Sequence, residues 1–362
     1  MLVAHVIDSM EVGGAEAVVS SLCRLQVAAG HRAEVHTLVG KGAIGEALEA
    51  EGIPVHVHGP RGTAATVWSL YRRFRESVPD VVHSHNKRAT VLSAIAARMS
   101  KCGVVISTRH GMAALPYRLR KELKFWVTAA LFCDRVVAVC ETAKRNMTRG
   151  ATLVAHKIET IRNGAHRAPV SARCLPVSRD FTLVAVGRLA PAKNFAMLLR
   201  AVASARPRVS DIRLWIIGDG AEREPLEALA YGLGLSDVVT FWGEQDDVGS
   251  WLQLADVFVM SSLSEGLPIS ILEAMAVGLP AIVTDVGGLR ELLQMSNSGV
   301  VVPPGNVDAF ANAIVAFAER RDQLSELGSR AAACYDQHFT PDRMTADYLA
   351  LYGRCLRPIT TA

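Results

Sequence analysis

Apolar positions along the chain follow two alternating patterns, short β-branched runs and longer stretches with helical spacing. The first run is Leu2 to Ile7, and after Gly13 and Gly14 the residues Val18, Val19, Leu22 and Leu25 recur at helical intervals. Further runs lie at 31–39, 54–58, 81–85, 104–108 and 135–140, with helical stretches between them. A second series begins at 181–186 and returns at 212–217, 238–242, 257–260 and 281–284. Strands that alternate with helices predict an α/β fold with parallel, doubly wound sheets, and two series predict two of them. Residues 163–180 hold Pro169 and Pro176 among scattered polar residues without periodicity, which predicts the linker. The two domains then span 1–168 and 178–340, and Pro341 to Leu356 reads as a last helix.

One stretch, Ser264 to Pro280, breaks the pattern by placing two carboxylates, Glu265 and Glu273, in an otherwise apolar element. Pro268 suits a first helical turn, and Gly278 and Pro280 are stop signals, so the helix is expected from Pro268 to Val277. Within it only Ser270 and Glu273 are polar, and their spacing puts them on one face. A helix apolar almost all round is buried, and a carboxylate buried with it needs a partner. Glu265 sits just before the helix, beside backbone N–H groups that lack intrahelical acceptors and favour an anion such as a phosphate. In an all-helical segment with ~1.5 Å rise the two carboxylates would stand roughly 12 Å apart, beyond the ~5–9.5 Å of glycosidase pairs. The spacing suits two ends of one long ligand.

Composition narrows the setting. With 362 residues and 50% hydrophobic content, the chain can bury two separate cores. No apolar run reaches the ~18 residues of a membrane-spanning helix, and Val127 to Val139 is broken by Asp134 and Arg135. The N-terminus lacks the charged segment and cleavage site of a signal peptide, so the expected location is the cytoplasm. Seven cysteines, at 23, 102, 133, 140, 174, 334 and 355, form no C-x-x-C pair, which argues buried thiols rather than disulfides or a zinc site. Residues 1–175 carry 24 Lys and Arg against 13 Asp and Glu, whereas 176–362 carry 15 against 22. The basic half points to an anionic partner, a lipid or acidic acceptor before a nucleic acid, since nothing resembles a nucleic-acid-binding module.

Ligands of parallel sheets bind at the carboxyl ends of strands. His85 closes the run VVHSH, and His110 closes VVISTRH before Gly111. Strand-end histidines serve structure more often than chemistry, so the pattern alone leaves both roles open. The loop with Gly13 and Gly14 lacks the third glycine of a dinucleotide fingerprint, and Glu34 lies inside the next strand rather than at its end. Both disfavour NAD, and an ordinary tight turn would also explain the glycines. Asp246-Asp247 is the nearest carboxylate pair to a metal-holding D-x-D and reads as loop charge.

The segment SEGLPISILEAMAVGLP, the upstream Gly187-Arg188-Leu189-Ala190-Pro191-Ala192-Lys193-Asn194 and the following Thr284-Asp285-Val286-Gly287-Gly288 together resemble the signature of one family. It is the retaining, nucleotide-sugar-dependent glycosyltransferases of family 4, and the resemblance spans the whole chain. It implies the GT-B fold, two Rossmann-like domains facing a central cleft, with the last helix returning to the N-terminal domain. It also implies a UDP- or GDP-sugar donor, a saccharide or lipid-linked acceptor, and no cofactor or metal. Carried over by position, Glu273 resembles the carboxylate that binds the ribose diol, and Glu265 the one that meets a hydroxyl of the donor sugar. Arg188 offers a fork and Lys193 a point charge to the departing diphosphate, while Gly266, Leu267 and Ile269 supply backbone contacts. Gly13 and Gly14 match the loop that approaches the donor phosphates, and Thr108-Arg109-His110-Gly111 matches the T-x-H-G segment whose histidine faces the transferred sugar. Many relatives have glycine where this chain has Pro268, which removes one N–H donor.

Residues 116–132 are basic and amphipathic, with Leu119, Leu123, Trp126, Val127 and Ala130 along one side and Arg118, Arg120, Lys121 and Lys124 supplying charge. A solvated helix face fits, and so does a monotopic contact with the inner face of the cytoplasmic membrane, to which Arg72, Arg73 and Arg75 would add. The expectation is a metal-independent glycosyltransferase of cell-surface polysaccharide or glycolipid synthesis. Its rivals are a nucleotide-sugar epimerase on the same fold and a non-catalytic nucleotide-sugar-binding subunit.

Overall fold

The computed structural model describes residues 1–59, 62–111, 119–168 and 180–356. The chain divides into two compact units, Met1–Gly164 with Pro341–Ala362, and Ala165–Thr340. Most of the expected linker, 169–179, lies outside the described residues, as do Cys174 and Arg118.

The first unit holds β1 (Leu2–Ser9), β2 (Arg32–Gly40), β3 (Val55–Val57), β4 (Val81–His85), β5 (Val104–Arg109), β6 (Arg135–Ala138) and β7 (Ile158–Thr160). They form one parallel sheet in the order β3-β2-β1-β4-β5-β6-β7. The second unit holds β8 (Phe181–Val186), β9 (Ile212–Ile217), β10 (Val239–Gly243), β11 (Val257–Met260), β12 (Ala281–Thr284) and β13 (Gly299–Val302). Its parallel sheet runs β10-β9-β8-β11-β12-β13. Strands covered by helices on both faces need apolar residues on both, which is why β8, β11 and β12 read as near-continuous apolar runs. The core of the second unit packs Leu183, Leu198, Leu214, Ile216, Phe310 and Ile314 without solvent contact.

Each sheet reverses its winding once, between β1 and β4 in the first unit and between β8 and β11 in the second. Helices on opposite faces leave a crevice at such a reversal, outside the carboxyl ends of the strands. The loops after β1 and β5 carry Gly13 and His110, His85 ends β4, and the loops after β8 and β11 carry Arg188, Lys193 and Glu265. Strands β7 and β13 have no counterpart among the expected runs. Both are edge strands of three and four residues, too short to show a period.

The last helix, Pro341–Leu356, belongs to the first unit. Its Tyr348 hydroxyl lies 3.0 Å from Thr108 Oγ1 and its Tyr352 hydroxyl 2.7 Å from His83 Nδ1, both in the buried interior. A polar group enclosed in a core needs such a partner, so these contacts fix the helix in rotation as well as position.

Candidate functional site

In the second unit the loop after β8 passes Gly187 and Arg188, makes one 3₁₀ turn at Pro191–Lys193, and enters the helix Phe195–Ala205 through Asn194, whose backbone is left-handed. Lys193 Nζ donates to Glu265 Oε1 at 2.7 Å, and Ser262 Oγ donates to the same oxygen at 2.6 Å. Two hydrogen bonds to backbone oxygens tie the loops beneath that pair: Leu263 N–H to Ala192 O at 2.8 Å, and Ser261 Oγ to Lys193 O at 2.9 Å. Arg188 is exposed, whereas Lys193 and Glu265 are half-buried. The sequence-expected phosphate lysine and sugar carboxylate therefore hold each other, each charge answered by its neighbour.

The helix after Glu265 runs Ile269–Ala276, one residue shorter at each end than expected. Pro268 caps it rather than starting it, because its ψ of 142° is still extended. At the other end Gly278 turns left-handed, its N–H bonds Met275 O, and Leu279 N–H bonds Ala274 O, the paired pattern that closes a helix. A side chain at Gly287, also left-handed, would collide with the carbonyl oxygens of Glu265 and Gly266, and Gly288 N bonds Gly266 O at 2.7 Å. The loop after β12 thus shapes the backbone of Gly266, Leu267 and Pro268 leading to Ile269.

Glu273 lies on this helix among buried Ile271, Leu272, Ala274 and Met275. Its surroundings strip water from the carboxylate and push its pKa up to about 7. The side chain has no hydrogen bond or ion pair among the described residues. A structural ion pair would have supplied a partner; the half-buried carboxylate instead keeps its oxygens open to solvent or to a ligand.

In the first unit Gly13 caps the helix Gly14–Ala28 with extended backbone, and a side chain on it would collide with the Glu16 carboxylate folded over the helix start. That turn therefore brings its own negative charge to the positive end of a helix, a feature sequence reading missed. A Glu in the first turn, three residues after a cap, was the available signal. His110 stands just past β5, its backbone N donating to Asn86 Oδ1 at 3.3 Å and its ring Nε2 3.0 Å from His85 Nδ1. Burial lowers its pKa to about 4, so the ring is neutral near pH 7. The two strand-end histidines are one unit rather than separate candidates.

The helix Leu119–Phe132 corrects the expected amphipathic face. Trp126 is buried, whereas Leu123, Val127 and Leu131 are 52%, 48% and 68% exposed. The rotation follows from Glu122, which turns inward to take Arg109 at 2.6 Å and Lys87 at 2.7 Å while the Arg109 guanidinium lies over Phe125. Arg73, expected at the surface, points to His56 Nε2 at 2.9 Å. Lys124 is exposed, and no helix among the described residues is long and apolar enough to cross a membrane.

Residues 12–168 match the family model Glycosyltransferase Family 4, and residues 173–333 match Glycosyl transferases group 1. The chain is 30% identical over 269 residues to the Escherichia coli UDP-Gal:alpha-D-GlcNAc-diphosphoundecaprenol alpha-1,3-galactosyltransferase, covering 68% of either chain. It is 30% identical over 298 residues to the lipopolysaccharide core biosynthesis glycosyltransferase LpsD of Rhizobium meliloti, covering 79% of either. Among solved structures, Anabaena HepE in complex with UDP superposes with a TM-score of 0.86 at 22% identity, over 98% of this chain and 100% of that one.

Proposed function

This chain belongs to the family 4 glycosyltransferases and has their GT-B fold, and from that premise we propose a retaining enzyme that takes its sugar from a UDP- or GDP-sugar without a metal ion. The observation that carries the donor reading is Glu273, a carboxylate in an apolar helix with its pKa raised to about 7 and no partner among the described residues. A ribose diol offers two O–H donors, and a carboxylate accepts both. Lys193, 2.7 Å from Glu265, stands in the loops at the same sheet reversal and would turn to the diphosphate, freeing Glu265 for a sugar hydroxyl. Arg188 and the start of the helix at Ile269 would share the charge that builds on the leaving phosphates. With cations and N–H groups in that role, the leaving phosphate itself takes the acceptor proton on the face where the new bond forms, which retains the configuration.

The acceptor reading is a cell-envelope saccharide, lipid-linked or polymeric, met at the cytoplasmic face of a membrane. One relative named for an undecaprenol-linked acceptor and one named for lipopolysaccharide core biosynthesis support it, as does the exposed row Leu123, Val127 and Leu131 at one-turn spacing beside exposed Lys124. Of the other basic residues expected there, Arg118 lies outside the described residues.

Thermal shift with UDP, GDP, ADP and their sugars tests the donor. The matching nucleotide at a hundredfold excess over Kd should stabilise by about 2.7 kcal/mol, roughly 5 to 10 °C, and Glu273→Ala should abolish the shift. No shift with any nucleotide would sink the donor reading. Sedimentation with anionic vesicles tests the membrane contact: serine at 123, 127 and 131 together should cut binding about tenfold and leave nucleotide binding intact. Equal binding by the triple variant would remove that contact from the proposal.

A further inference from the structure

Four histidine rings fill the reversal of the first sheet, and three of them join end to end. His110 Nε2 lies 3.0 Å from His85 Nδ1, His85 Nε2 lies 3.1 Å from His5 Nδ1, and His5 Nε2 lies 2.9 Å from Gln26 Oε1. His5, His85 and Gln26 are fully buried. A neutral imidazole carries one N–H and one bare nitrogen, so a row of them has only two self-consistent settings, and the group at its end selects between them. Gln26 presents its carbonyl oxygen to His5, while its amide nitrogen, on the side of Tyr352, is buried and makes no hydrogen bond among the described residues. An oxygen can only accept. His5 must then donate from Nε2, His85 from Nε2 into the bare His5 Nδ1, and His110 from Nε2 into the bare His85 Nδ1.

We propose that the row Gln26–His5–His85 is a positioning device that holds His110 as its Nε2–H tautomer, with Nδ1 kept bare to accept a hydroxyl of the bound saccharide. The end of the row bears this out, since His110 Nδ1 is covered and has no hydrogen-bond partner among the described residues. It is the one ring nitrogen of the row left over, and a buried acceptor without a donor is a half-made contact. Burial keeps every ring neutral, His5 and His110 near 4 and His83 and His85 well below their ordinary value, so the row conveys a tautomer rather than a charge. His5, His83 and His85 are also close enough to share a cation. However, both His83 nitrogens are taken, by Thr108 Oγ1 at 2.7 Å and Tyr352 at 2.7 Å, and no carboxylate among the described residues bonds these rings to offset a buried divalent ion. The proposal rests on the transferase reading for the identity of the hydroxyl, and not for the tautomer.

Long-range ¹H–¹⁵N correlation on the histidine-labelled full chain, with His110 assigned by its loss in His110→Gln, reads the tautomer without donor or acceptor. The expected result is a bare Nδ1 and a protonated Nε2 at His110. The opposite tautomer overturns the proposal, as does a joint shift of the row on adding zinc. Gln26→Met removes the terminal acceptor and should bring the second tautomer into the His110 signal, with kcat down about tenfold and the donor KM unchanged; Gln26→Glu, which can only accept once ionised, should restore both at a pH above the pKa of the new carboxyl. A loss of kcat with the tautomer unmoved would reduce the row to packing. A correct tautomer in a chain that transfers no sugar would leave the row standing and sink the transferase reading.

Discussion

Glu273 decides more at the scale of a residue than its single charge suggests. Its carboxyl ionises near 7 in the fold and near 4.5 when free, so between those values the folded chain holds a proton that the unfolded chain has released. Its contribution to stability is therefore full below about 4.5 and is lost as pH rises to about 7, a change on the order of 3 kcal/mol. Ligand binding should run the other way, because a diol needs the ionised acceptor. The affinity of the cognate nucleotide-sugar, whose diester phosphates do not titrate in this range, should rise about tenfold from pH 6 to pH 8 and become weak and flat with pH in Glu273→Gln. Calorimetry across that range checks it, and a wild-type affinity independent of pH would contradict the assignment. The residue was legible in sequence because a carboxylate interrupts an apolar helix. Its lack of a partner was not, since partners come from other elements.

At the scale of elements, the close approach of the loop after β12 to the loop after β11 depends on Gly287. A methyl group there meets two backbone carbonyls and forces a left-handed residue to carry a side chain, so Gly287→Ala should cost about 1–3 kcal/mol and move the Glu265–Gly266 backbone. Donor affinity should drop at least tenfold by titration, while far-UV dichroism stays that of the wild type; unchanged affinity would show that this loop does not shape the site. The strand runs and turn glycines that build such loops were readable because strands buried on both faces are mostly apolar along their length. What escaped were elements whose cause is distant in sequence. The helix Leu119–Phe132 turned about its axis because Arg109 and Lys87 draw Glu122 inward, and β7 and β13 became strands because a neighbouring edge offered hydrogen bonds. The histidine row is a further case. His5, Gln26, His85 and His110 come from four segments, and only the reversal of the sheet brings them into one line.

For the whole molecule, the two units differ in how the chain enters them. Ala165–Thr340 is continuous, whereas the other unit is made of Met1–Gly164 and the last helix. The phenols of Tyr348 and Tyr352 complete the bonds of Thr108 and His83, groups made early in the chain. Shortening the chain after Thr340 should therefore leave the second unit cooperative and nucleotide-binding, while hydrogen exchange at β4 and β5 speeds up by orders of magnitude. Protection of β4 and β5 equal to that of the full chain would show the helix to be dispensable. The same discontinuity gives the protein a history on the ribosome. The N-terminal sheet is synthesised first and finished last: at about 5–20 residues per second, roughly 10 to 35 s of translation separate its seventh strand from the helix that seals its histidines. Through that interval the nascent chain exposes a polar core awaiting its cover, and any factor that shelters nascent chains would meet this sheet, not the second one, as its client.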